Sequence, residues 1–267
     1  MKTLTADIYR FSLPSKFALA LTSIFAAAGF TWPFFAPDLA TAQFAQYFFW
    51  IAMPLAFILL LTQLSDHTLD AKSVALLGML AALLAALRPL GAGAVGLEPM
   101  WFLLILAARV FGSAFGFLLG ALGMLTSALF TGGIGPWLSY QIFAAGLIGL
   151  FAGSFAKGLR GWREQILLLC ISIISALSYG LLMDLQFWPW ALGGNTQLSF
   201  IAGGDLQVNL QRFITFHFLS AMAWDIPRAV LTSVLVITTG PAVLAALRRT
   251  KKKAAFLTPI EFSERLR

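Results

Sequence analysis

Long apolar runs separated by short polar or proline-containing stretches set the pattern of this chain. A helix needs about 20 mostly apolar residues to cross a bilayer, fewer where neighbouring helices cover its ends. On that criterion eight helical spans are predicted, at about 17–30, 47–64, 72–87, 99–111, 112–130, 137–156, 162–183 and 226–247. Pro33 and Pro37 follow the first, and Pro54 kinks the second. The fourth and fifth read equally as a kinked pair or as one bent helix. Asp225, ahead of Ile226-Pro227, reads as the N-cap of the last span, with proline in the first turn where its missing N–H costs little.

The polar segment 64–71 divides the chain. Residues 1–70 form a two-helix membrane extension, 71–250 a six-helix membrane core, and 251–267 a basic tail. Lys2, Arg10 and Lys16 ahead of an apolar run and the small residues Ala26–Ala28 imitate a signal peptide. The seven further apolar runs favour a retained first helix. No internal repeat is evident, which argues against an inverted-repeat transporter.

Composition strengthens the membrane reading. Of 267 residues 60% are hydrophobic and only 11% charged, against roughly 25% charged in soluble domains. One cysteine and two histidines exclude a disulfide framework and an ordinary zinc site, so no metal is expected. The net charge of +7 would suit nucleic acid, but its placement argues against that partner. Lys157, Arg160 and Arg163 share one short loop, and Arg248, Arg249, Lys251, Lys252 and Lys253 share the tail. Basic clusters beside apolar spans mark the cytoplasmic side. The expectation is a multi-pass protein of the cell membrane with both termini cytoplasmic, and with 88–98, 131–136 and 184–225 outside.

Motifs narrow the chemistry. Gly91-Ala-Gly93-Ala-Val-Gly96 has the letters of a dinucleotide fingerprint but follows an apolar helix rather than a strand. A turn is the better reading. There is no P-loop, no His-Glu-x-x-His, no Gly-x-Ser-x-Gly and no paired-aspartate motif. Any ATP used must therefore be bound by another chain, and no cofactor is expected in this one. Gly78, Ala81, Ala82, Ala85 and Ala86 recur at helical spacing, and small residues so placed let two helices approach closely in lipid. They serve either packing within the chain or docking of a second membrane subunit. Gly112, Gly116 and Gly120, with Gly149 and Gly153, read as internal packing.

Charges within spans are costly and therefore informative. Asp225 and Arg228 read as an intrahelical pair; Arg109 has no local partner and must pair across helices or face a cavity; Arg88 and Glu98 bracket one outer turn and are placed to pair. Structural and substrate roles stay open for Arg88, Glu98 and Arg109. Trp101, Trp137, Tyr140, Trp188, Trp190 and Trp224 gather on the outer side, as an interfacial belt would. The run from Thr131 to Gln141 also offers a glycine-rich backbone, aromatic planes and an amide. Asp184, Gln186, Asn195 and Asn209 add polar groups on the same side. Aromatic planes with a few amides suit an uncharged, ring-containing ligand.

Four runs carry a resemblance: Leu87-Arg-Pro-Leu-Gly-Ala-Gly93, Arg109-Val-Phe-Gly-Ser-Ala-Phe-Gly-Phe117, Ser127-Ala-Leu-Phe-Thr-Gly-Gly-Ile-Gly-Pro-Trp137 and Trp224-Asp-Ile-Pro-Arg228. Over about residues 70–250 the chain resembles the substrate-binding S components of energy-coupling factor (ECF) vitamin transporters, and is most similar to an actinobacterial-type branch associated with cobalamin. The resemblance implies an all-α six-helix S-component bundle, here with two additional N-terminal transmembrane helices. It implies a non-enzymatic subunit that captures a vitamin, cobalamin or a related corrinoid first, near the outer face. It also implies a transmembrane T component touching Gly78, Ala81, Ala82, Ala85 and Ala86, and two cytoplasmic ATPases that bind the ATP. The expected substrate contacts are Arg88, Glu98, Arg109, Trp137, Tyr140, Gln141, Asp184, Trp188, Trp190 and Asn209. Two rivals remain: a membrane-embedded enzyme acting on lipid or isoprenoid through Asp184 and Asp225, and a ligand-free assembly protein.

Overall fold

The computed structural model describes residues 7–8, 10–35, 51, 71–91, 96–156, 158–192 and 196–253. The second expected span (apart from Ile51), the polar linker before Ala71, residues 92–95 of the glycine turn, Asn195 and the tail beyond Lys253 lie outside the described residues.

Among the described residues the fold is all-helical, without strands. Helix α1 (Leu13–Thr31) starts at Ser12, whose hydroxyl accepts from the Ser15 N–H at 3.3 Å, with Pro14 in the first turn. It runs on into a 3₁₀ turn, Trp32–Phe34. Helix α2 (Ala71–Leu87) ends in a second 3₁₀ turn, Arg88–Gly91. Helices α3 (Met100–Phe111) and α4 (Ser113–Thr131) are separate. They break at Gly112, whose φ of 118° lies in the region that favours glycine. The 99–130 stretch is thus a pair of helices. Helix α4 stops at Gly132, in the left-handed conformation, whose N–H returns to the Ala128 carbonyl. Helices α5 (Leu138–Gly153) and α6 (Trp162–Ala191) follow.

The chain then departs from expectation. Helix α6 continues to Ala191 rather than ending near 183, with Pro189 in its last turn. Helix α7 (Leu206–Phe216), a π turn (His217–Ala221) and α8 (Met222–Thr238) follow one another without a gap. The expected outer loop 184–225 is therefore largely helical. Its N-cap is Asp205, which accepts from the Gln207 N–H at 3.3 Å, and Asp225 lies inside the helix rather than capping it. The segment escaped the apolar-run criterion because α7 is amphipathic. It buries Asn209, Phe213 and Phe216 and leaves Gln207, Gln211 and Thr215 outside. The last expected span, 226–247, is likewise broken: α8 ends at Thr238, and α9 (Gly240–Lys253) is a separate basic helix. Pro241 explains the break, since it has no N–H to continue the ladder from α8 and is tolerated only in the first turn of the helix that follows.

The core is organised around α3. From Met100 to Phe111 every residue but Phe102 is buried, and α2, α4, α5, α6, α8 and α9 all pack against it. So enclosed, a twelve-residue helix need not match the bilayer thickness by itself. Helices α4 and α5 approach at backbone distance, because a Cβ on Gly116 would strike the Gly149 carbonyl and one on Gly149 the Gly116 carbonyl. The two glycine stripes meet each other.

At one end of the bundle a buried ion cluster ties three elements. Arg109 Nε donates to Glu164 Oε1 at 3.1 Å and its Nη1 to the Phe155 carbonyl at 3.0 Å. Arg248 Nη2 reaches both Glu164 oxygens at 2.6 and 2.7 Å. Lys251 Nζ donates to the Val110 carbonyl at 2.8 Å, so α9 is pinned to the end of α3.

Candidate functional site

A cavity of about 780 Å³ lies at the opposite end. Its position follows from α6: Glu164 of the ion cluster and cavity-lining Asp184 are twenty residues apart on one helix, or about 30 Å at 1.5 Å per residue. The last three turns of α6 supply one wall. Tyr179, Gly180, Met183, Asp184, Phe187 and Trp190 recur at three- and four-residue steps, so they share a face. The start of α5 supplies a second wall through Trp137, Tyr140 and Gln141. Trp224, Asp225 and Arg228 of α8 and Glu98, just before α3, complete the floor.

An ion network fixes that floor. Arg228 Nε donates to Glu98 Oε2 at 3.1 Å, and its Nη1 donates to Asp225 Oδ1. The Trp101 indole N–H donates to the same Glu98 oxygen at 2.8 Å. The Arg228 guanidinium sits 5.1 Å from the centre of the Tyr179 ring, which in turn packs on Trp101. The expected Asp225–Arg228 pair is therefore present. Glu98 pairs with Arg228 rather than with Arg88. Glycine makes this closeness feasible: a Cβ at Gly180 would collide with the Asp225 carboxylate, and one at Gly96 (φ 71°) with the Trp224 backbone.

Asp184 of α6 reaches the π turn, with its Oδ2 2.9 Å from His217 Nδ1. Arg88 stands behind the α5 wall. Its Nη2 donates to Gln141 Oε1 at 3.1 Å and its Nη1 to Ser127 Oγ at 3.2 Å, which orients the Gln141 amide.

Of the ten expected contacts, the structure brings Glu98, Trp137, Tyr140, Gln141, Asp184 and Trp190 to the cavity lining. Arg88 stands one residue back. The other three lie elsewhere. Arg109 belongs to the ion cluster at the far end. Trp188 is fully buried in a neighbouring aromatic cluster with Phe34, Phe200 and Phe213, and its indole N–H donates to the Leu198 carbonyl at 2.7 Å. Asn209 is buried and clamps the Ile201 backbone through both ends of its amide, at 3.1 and 2.8 Å.

Sequence reasoning missed the contribution of α1. Trp32 lines the cavity and packs on Trp190, with ring centres 5.8 Å apart, while Phe30 meets Tyr140 edge-on at 5.0 Å. The end of α1 is part of the site. Tyr179, Gly180, Met183 and Phe187 were also passed over, although their spacing along the 162–191 stretch marks one face. Trp224, Asp225 and Arg228 are absent from the expected substrate contacts, Asp225 being assigned only to a cap, an ion pair and the enzyme rival.

The small residues of α2 divide. Ala81 and Ala85 are buried inside the bundle, whereas Gly78, Ala82 and Ala86 are exposed along its outer side, and a Cβ at Gly78 would meet nothing within 4 Å.

Leu13–Phe34, Ala71–Gly91, Ser113–Thr131, Trp162–Ala191 and Leu206–Thr238 are long and apolar enough to cross a membrane, with Met100–Phe111 and Leu138–Gly153 as shorter apolar helices. Fold and site together define a multi-pass, all-α membrane protein with a ligand-sized cavity at one end of its bundle. No family, curated protein or solved structure matches this chain.

Proposed function

We propose that this chain is the substrate-binding S subunit of an ECF-type importer, which captures a ring-containing vitamin or precursor outside and releases it inward when partner ATPases drive the complex. The observation that carries the reading is the cavity: about 780 Å³, walled by tryptophan and tyrosine with a few fixed polar groups. Ligand pockets are of this kind, roughly 300–1,000 Å³ and mainly apolar. Orientation agrees with it. Arg160, Arg163 and Arg248 lie at the end opposite the cavity, so the positive-inside rule turns the cavity outward.

The exposed ridge of Gly78, Ala82 and Ala86 is the docking face for the T component, because small outward residues admit close helix contact in lipid. Ala81 and Ala85 support that ridge from within. ATP is bound by the partner ATPases. A corrinoid with its appended nucleotide is larger than this cavity and would sit partly outside it, so the volume favours a smaller ring compound over cobalamin.

The test is a thermal-shift screen of the folded, detergent-purified protein against a vitamin panel that includes cobalamin. A ligand at 100 times its Kd should stabilise the fold by about 2.7 kcal/mol. Silence across the panel would sink the reading. One observation favours the enzyme rival: Asp184, beside His217, and Asp225 line the same cavity. No serine, threonine or cysteine nucleophile is among the described lining residues. Conversion of a bound lipid to a new product, lost in Asp225→Asn with binding intact, would establish that rival instead.

A further inference from the structure

The charges of the cavity differ from those of an uncharged-ligand site. Glu98, Asp184 and Asp225 line it against one lining guanidinium, Arg228. Arg228 is already engaged by Glu98 Oε2 and Asp225 Oδ1. Arg88, behind the wall, is directed at the neutral acceptors Gln141 and Ser127. The second oxygen of Asp225, Oδ2, is buried on a residue only 1% exposed and has no hydrogen-bond partner among the described residues. It abuts Gly180, itself a lining residue, whose missing side chain lets the carboxylate pack against the α6 backbone at the cavity lining. An ionised carboxylate oxygen only accepts, and leaving it unmatched in a buried site is costly.

The remaining surface is built for a cation as well. The indoles of Trp137, Trp190 and Trp224 line the cavity and are 45%, 48% and 53% exposed. Tryptophan is the best cation–π partner among the side chains. An apolar ligand would leave the acidic excess of the lining uncompensated, and an anion would meet both Asp184 and Asp225.

Resting on the substrate-binding reading, we propose that the cavity selects a flat, ring-bearing organic cation, with its charged edge toward the acidic floor of Asp225 and Asp184 and its ring against the tryptophans.

The experiment uses the full chain in detergent and a panel sorted by charge: thiamine and ring-N-methylated nicotinamide as cations, nicotinamide and riboflavin as neutral rings, and biotin as an anion. Nicotinamide and its methylated form differ chiefly in fixed charge, so on the unaltered protein they isolate it. The cation should bind roughly tenfold tighter or better, equivalent to one decade in Kd. Asp225→Asn should abolish that preference. Should this variant fail to fold, the matched pair decides alone. A neutral or anionic compound as the tightest ligand would overturn the charge inference and leave the binding reading standing. No binding by folded protein across the panel would overturn both.

Discussion

Arg228 meets Glu98 on one side and Asp225 on the other, with the Tyr179 ring against its guanidinium. Removing it would leave two carboxylates facing each other at the cavity floor. Breaking a buried pair by deleting one partner costs about 3–5 kcal/mol, because the orphaned charge stays desolvated. Arg228→Met should therefore lower the thermal midpoint sharply, and adding Glu98→Gln should recover part of the loss. A single variant as stable as the parent would show that the network contributes nothing to the fold. The costly charges themselves, Arg109, Asp225 and Arg228, were legible because ionised residues stand out in apolar runs. Their distant partners were not. Glu98 reaches Arg228 across 130 positions and Arg109 reaches Glu164 across 55, and nothing in a hydropathy pattern says which helix ends will be neighbours.

One sequence feature, small residues at four-residue spacing, has opposite meanings in two helices. Gly116 of α4 touches the α5 backbone, whereas Gly78 of α2 faces open space. Gly116→Leu overpacks the α4–α5 seam and should cost about 1–3 kcal/mol or more. Gly78→Leu should leave the fold at least as stable, since it removes a glycine from an exposed helix interior, yet abolish co-purification with the proposed T component. Equal thermal shifts for the two variants would remove this distinction.

Helix α9 has its own signature, in pH. Burial, with Arg160 and Arg248 nearby, pushes the Lys251 ammonium down to about 8, against an ordinary value of about 10.4. Between those values the unfolded chain holds a proton that the folded chain has released, so stability rises with pH through that window. Below about pH 8 both forms are charged and the burial penalty acts in full. The thermal midpoint of the parent should climb relative to Lys251→Met from pH 8 to pH 10. A constant difference would show that Lys251 does not titrate with folding. Among the described residues, helix existence was legible wherever the apolar run was long. The ends failed at α6, α7 and α9, where an amphipathic face or a single proline, rather than hydropathy, decides the boundary.

At the scale of the molecule the charges are segregated by end, an asymmetry legible in the basic clusters of the sequence. The aromatic and polar gathering at the other end was legible too. Its closure by α1 was not, because an N-terminal apolar run looks the same whether it wraps a site or stands apart. The segregation makes a topological prediction independent of any ligand. Gly158 lies beside the Arg160–Arg163 cluster with room for a side chain, and Ile134 is 59% exposed in the turn before the cavity wall. In a Cys170→Ser background, which removes the chain's own cysteine, a membrane-impermeant thiol reagent added to intact cells should label Ile134→Cys and spare Gly158→Cys until the membrane is opened. Labelling in the reverse order would place the cavity on the inner face. A capture subunit could not then work as proposed, because the ligand would have to be taken from the compartment into which it is meant to be delivered.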